Sequence, residues 1–169
     1  MACEISAADR RLLTSGQLAG VLFCGVATYG IMTRPGFELQ RHAISNLTLG
    51  EGGWAMIAAF MTSGVLTLLC AVGLSHIIME GRGRRALPIL IGLYGLGLIV
   101  AGIFPPPACC GFPAGTPEDQ LPVMTPSAIV HSMAFMVAFA SLIVACFVAT
   151  ARFSGDCCLQ FMQKRLYFM

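Results

Sequence analysis

The chain reads as an all-α integral membrane protein, a bundle of four spanning helices. Three observations predict this. Of its 169 residues, 57 % are hydrophobic and 11 % charged, where a soluble domain carries about 25 % charged residues. Mean hydropathy is +0.81. The apolar residues gather into four stretches, each near the ~20 residues an α-helix needs to cross ~30 Å of hydrocarbon. Helices are required, because lipid offers the backbone no hydrogen-bond partner.

The first span runs from about residue 12 to 32. Arg10 and Arg11 precede it, and Arg34 with Pro35 ends it. Its apolar region is too long for the ~7–15 residues of a signal peptide, and no small-x-small site closes it, so it reads as a retained anchor. The second span covers about 54–79, the third 87–104 and the fourth 127–150. Together with the loops they make one domain, 1–151, arranged as two helical hairpins. In the remaining tail, 152–169, Cys158, Phe161, Met162, Leu166 and Met169 recur at helical spacing around Lys164 and Arg165. That pattern predicts a short amphipathic helix lying on the cytoplasmic leaflet.

The charges set the orientation. Arg10, Arg11, Arg82, Arg84, Arg85, Arg152, Lys164 and Arg165 flank one side, and only Arg34 and Arg41 flank the other. Basic residues stay cytoplasmic. Both termini are therefore expected inside the cell, with the chain in the cell membrane and loops 33–53 and 105–126 facing outward as a folded cap. Small residues should bring the helices together: Gly16 with Gly20, continued by Gly25 and Gly30, then Gly92, Gly95 and Gly102, then Ala134, Ala138, Ala145 and Ala149 with Ser141 nearby. None of these glycines opens a phosphate loop.

The outward loops carry the polar residues from which a site is built. The candidates are His42, Ser45, Asn46, Trp54, Glu118, Asp119 and His131. His42 and His131 share the outward side, and intramembrane ionisable groups are frequently functional. One reading pairs them as ligands of a metal or haem. The plainer one makes each a polar residue bonded to nearby backbone, and no cofactor is then expected. His76 lies at the other end of the second span, nearly a membrane thickness away. Ser45 with His42, and Ser127 with His131, have the spacing of a hydroxyl beside a base. Such neighbours on a helix also meet without doing chemistry, and no GxSxG or HExxH signature is present. The outward carboxylates are Glu38, Glu51, Glu118 and Asp119.

The eight cysteines form no CxxC…CxxC array, so a structural zinc is not indicated. Cys109-Cys110 sits outside and Cys157-Cys158 inside, the latter a candidate for reversible acylation. Adjacent cysteines rarely bond to one another, because the ring is strained. Asn46-Leu47-Thr48 fits a glycosylation sequon, a short pattern that recurs by chance. Span interiors without Asp, Glu, Lys or Arg argue against ion-coupled transport. No basic run interleaved with aromatics points to nucleic acid. The expected partners are the bilayer itself and a lipid, small molecule or second membrane protein held at the outward cap. The rival reading is an enzyme, or a redox or metal protein, using His42 and His131.

The run HAISNLTLGEGGW after the first span, the third-span ending AGIFP, and FPPPACCGFPAGTP followed by His131 resemble the domain of unknown function 998 family. The resemblance covers roughly residues 12–150. It implies a bacterial multi-pass membrane protein without an established activity. Members of the family have about six spans, so a four-span chain resembles a truncated or divergent member. The positions that match the family pattern are His42, Ser45, Leu47, Gly50, Trp54, Phe104, Pro105 and His131. An Asp that follows F-P in the pattern is replaced here around Pro107, and a Gly three residues before the His by Ala128.

Overall fold

In a computed structural model, residues 6–154 are described, and their regular structure is almost entirely helical. Helix α1 spans Ala7–Thr33, α2 Gly53–Ile77, α3 Ala86–Ile103 and α4 Pro126–Phe153. A short 3-10 turn, Ile44–Thr48, interrupts the loop between α1 and α2. The four helices match the four predicted spans to within a few residues, and all are long and apolar enough to cross a membrane. The amphipathic helix expected over 152–169 and the Cys157-Cys158 pair lie almost wholly or wholly outside the described residues.

Local chemistry sets the ends. Ser6 caps α1 by accepting from the Asp9 backbone N–H at 3.1 Å, which carries the helix five residues beyond the expected start. Thr125 caps α4 in the same way through the Ala128 N–H, with Pro126 in the first turn, where its missing donor costs nothing.

The helix surfaces are those of a protein solvated by lipid. Only 17–39 % of each apolar window is buried within the protein. Val21, Met32 and Phe147 are each more than 70 % exposed. In water such a surface would aggregate; in hydrocarbon it needs no cover.

Packing is therefore carried by close backbone approach and by hydrogen bonds between helices. The crossing of α2 with α3 is reciprocal. A side chain on Gly64 would stand 2.7 Å from the Gly95 carbonyl, and one on Gly95 would stand 2.9 Å from that of Gly64. Gly97 meets Ala138 Cβ and the Ala134 carbonyl on α4 as closely, while Gly16 and Gly73 admit Cys70 and Leu12 between α1 and α2. Ser15 Oγ donates to the Leu66 carbonyl at 2.8 Å and Ser63 Oγ to that of Ala19 at 3.1 Å. The expected Gly16–Gly20 pair is split, since Gly20 and Gly25 face open space. Gly30 does not meet a helix; it receives Leu47 from the cap.

Helices pack in chain order, α1 on α2, α2 on α3 and α3 on α4, whereas α1 and α4 scarcely touch. The bundle is consequently open along one side. Loops 34–52 and 104–125 fold over one end and bury Phe37, Leu47 and Phe112 against Met56, Ala59 and Phe60 below. Arg34 holds this cap together. Its guanidinium donates to the Leu47 and Leu49 carbonyls and lies 5.4 Å above the Phe112 ring. At the opposite end, Arg152 donates to the Glu80 and Arg82 carbonyls, and His76 meets Asp9 at 2.9 Å.

Candidate functional site

Two cavities meet at the cap end. One, the groove, holds about 320 Å³ and lies where α1 and α4 fail to close. Phe23 of α1, Phe60 of α2, Tyr94, Leu98 and Ala101 of α3, and Phe135 and Phe139 of α4 line it. The other, the vestibule, holds about 370 Å³ between the two loops and the start of α4. Arg41, Asn46, Pro107, Cys109 and Met136 are among its walls. Ala43, Ser45, His131 and Phe135 belong to both, so the cavities adjoin across these four residues. Each volume falls in the ~300–1,000 Å³ range of small-molecule sites.

The two histidines differ in what their nitrogens do. His42 Nδ1 lies 2.9 Å from the Glu38 backbone N–H, a pure donor, so Nδ1 accepts. His42 Nε2 lies 3.0 Å from the Cys110 carbonyl, a pure acceptor, so Nε2 carries the proton. With Phe37 and Phe112 packed about its ring, His42 is a buried strut joining the two loops. Both its nitrogens are spent on backbone, and it lines neither cavity.

His131 has the opposite tautomer. Its Nδ1 faces the carbonyls of Ala101 at 3.1 Å and Phe104 at 2.8 Å, the free carbonyls that end α3. Nδ1 therefore donates, and Nε2 keeps a lone pair. The residue is 4 % exposed, yet no buried side-chain nitrogen lacks a partner among the described residues. Since Nε2 has none within the protein, it opens onto the cavities that His131 lines.

The remaining candidates divide. Ser45 lines both cavities, and buried Asn46 reaches the Pro107 carbonyl at 3.4 Å from the vestibule wall. Ser127 is turned away from any pairing with His131 and donates to the Pro105 carbonyl at 3.2 Å. Trp54 is 74 % exposed at the start of α2 and lines no cavity. Glu118 and Asp119 are exposed on the second loop, away from both cavities. Among the described residues no group of three or more His, Cys, Asp or Glu is placed to hold a metal ion.

Arg41 supplies the vestibule's positive charge. Its contact with Glu38, 3.7 Å between exposed side chains, is weak enough to yield to a ligand. Two cap residues were not singled out in the sequence. Arg34 reads there as the stop of a span, though a lone arginine beside Pro-Gly at an apolar end is itself a signal. Ala43, at the junction of the cavities, carries none.

No curated protein and no solved structure matches the chain. A family model described as Protein of unknown function (DUF998) matches residues 17–160, and the chain belongs to that family.

Proposed function

We propose that this is a cell-membrane protein, with both termini in the cytoplasm, that holds one amphiphilic molecule, a lipid, at its outward end. An acyl chain occupies the groove, and the polar head lies in the vestibule. The observation that carries this reading is the adjacency of an apolar cavity, set where α1 and α4 scarcely touch, and a second cavity under the cap whose walls bring Arg41, Ser45, Asn46 and His131 together. A hydrocarbon tail enters such a groove sideways from the membrane without crossing water. Arg41 suits an anionic, phosphate-like head, with Asn46 and Ser45 in reach of its remaining polar atoms. The His131 Nε2 lone pair accepts from a hydroxyl or amine of the same head.

The reading as an enzyme or metal protein needs His42 and His131 to act together. It is the weaker, because a ligand for His42 must first displace the Glu38 N–H or the Cys110 carbonyl.

The test is an Ala43→Trp plug at the junction of the cavities. Ala43 is exposed, so the substitution leaves the packing of the helices alone. Native mass spectrometry of gently extracted wild-type protein should show one retained lipid that survives detergent exchange, and the plugged variant should lose it. Equal retention by both proteins, or a wild type that keeps no lipid, would sink the reading.

A further inference from the structure

The turn Cys109–Phe112 carries a feature the lipid reading does not use. The Cys110 and Cys109 sulfurs stand 2.7 Å apart, inside the ordinary contact distance of two sulfurs. Neighbours in an extended chain point their side chains to opposite faces; here the backbone brings the two sulfurs together. Cys110 has φ +60°, and it is the one non-glycine with positive φ among the described residues. That conformation is uncommon for a side chain with a Cβ and persists only where the surroundings enforce it.

Here they do. The Cys109 N–H donates to the Phe112 carbonyl at 3.3 Å, and the Phe112 N–H returns a bond at 3.0 Å. The Cys110 N–H donates to the Gln120 carbonyl at 3.1 Å, and the Gly111 N–H to that of Pro117 at 3.2 Å. The Cys110 carbonyl accepts from His42 Nε2 at 3.0 Å. Every one of these bonds is made by groups other than the sulfurs. The turn is thus pre-organised for sulfur contact, and the two thiols need not be joined to hold it. Both cysteines are part-buried, within reach of small solutes, and Cys109 forms part of the vestibule wall.

We propose that Cys109 and Cys110 are a thiol-oxidation site that closes into a vicinal disulfide by exchange with a low-molecular-weight disulfide. One sulfur, as its thiolate, attacks the co-reactant, forms a mixed disulfide and expels one thiolate. The neighbouring sulfur then attacks the protein-bound sulfur, the mixed bond breaks, and a second thiolate leaves. The pair is oxidised by two electrons, the co-reactant is reduced to two thiols, and the two protons lost by the cysteines end on those thiols. Strained rings of this kind have oxidising potentials and are readily reopened, which suits a reversible mark rather than a structural staple. The neighbouring sulfur holds the Cys109 thiol up at about 11, and a Cys110 sulfur taken up in the mixed disulfide is no longer a thiolate beside it, which frees Cys109 for the closing attack.

This site is independent of the lipid reading, and its test uses no lipid. The purified, reduced full-length protein in detergent is exposed to glutathione disulfide, quenched with N-ethylmaleimide and digested. The peptide holding residues 109–110 is then weighed. The expected product has lost two hydrogens and carries neither label. It should exceed the doubly glutathionylated peptide by more than about tenfold, because the second step is intramolecular. Cys109→Ser should stop at a single glutathione adduct on Cys110. A peptide that takes two maleimides or two glutathiones, or a disulfide joining two chains, would overturn the proposal. Should Cys109→Ser fail to fold, the mass of the wild-type peptide decides alone.

Discussion

His131 joins two roles that substitution can separate. Its Nδ1 closes the end of α3 through the Ala101 and Phe104 carbonyls, and its Nε2 opens onto the cavities. Leucine removes both functions. Two carbonyls lose their shared donor, which costs about 1–3 kcal/mol for buried groups left unpaired. Asparagine carries its amide nitrogen on Cγ, as histidine carries Nδ1, so His131→Asn restores the donor and leaves nothing where Nε2 stood. Glutamine places its amide one atom further out and does the reverse. The order of stability should be wild type, then Asn, then Gln and Leu, measured by reversible unfolding in mixed micelles. Lipid retention should follow a different order, with Gln above Asn and Leu. Loss of one neutral hydrogen bond, ~0.5–1.5 kcal/mol, corresponds to roughly two- to twelvefold in affinity. If Asn unfolds as readily as Leu, Nδ1 is not the stabilising donor. If Asn retains lipid like wild type, Nε2 does not face the ligand.

The other expectations test packing, the cap and sidedness. Gly64→Val must push α2 from α3, since its first carbon already stands 2.7 Å from the Gly95 carbonyl; a loss of about 1–3 kcal/mol is expected in the same unfolding assay, as for overpacked cores. Arg34→Met keeps the length of the side chain but leaves the Leu47 and Leu49 carbonyls without their donor; proteolysis within residues 38–50 should accelerate while the helices stay protected. In intact cells first treated with a reductant, a maleimide that cannot cross the membrane should label the Cys109-Cys110 pair but not a cysteine placed at Gly83. The Cys109 thiol is held at about 11 by its neighbour, so its share of the labelling should still be rising with pH throughout the range in which cells stay intact, because only the thiolate reacts.

How much of this was legible in the sequence depends on the range of the forces involved. Span positions rest on length and polarity alone, and those are printed in the chain. Which glycines pack rests on the rotation of each helix, which its partners decide. Gly16 and Gly95 sit in contacts, Gly20 and Gly25 face outward, and Gly64, Gly73 and Gly97 make approaches that no spacing marked. Polar residues amid apolar ones were visible, and four of the seven candidates, Ser45, Asn46, His131 and (as a strut) His42, do meet at the cap. Trp54, Glu118 and Asp119 share their sidedness but not their place. Whether a histidine presents a lone pair depends on what its other nitrogen meets, and that is set by loop geometry. The Cys110 turn had no sequence signal: the two sulfurs stay unjoined, as expected of adjacent cysteines, yet bonds to the Gln120 and Pro117 carbonyls and from His42 Nε2 hold them in contact.

The open side of the bundle and the polarity of the cap imply where selectivity must lie. A groove of this size in a water-soluble protein would be driven to fill or collapse. In a bilayer, lipid tails are as apolar as its walls, and vacating or filling it changes little free energy. On the proposed reading, an acyl chain arriving from the membrane would contribute almost nothing to discrimination, whatever its length. The polar contacts have no such degeneracy. Ser15, Ser63, Thr67 and His42 spend their donors on backbone carbonyls, as a low-dielectric surrounding demands. Arg41 and His131 Nε2 keep capacity free at the mouth of the same space. If a lipid binds as proposed, it is chosen by its head, so changing the head group should shift occupancy far more than lengthening the chain. Equal competition by lipids that differ only in their heads would show that the vestibule does not select.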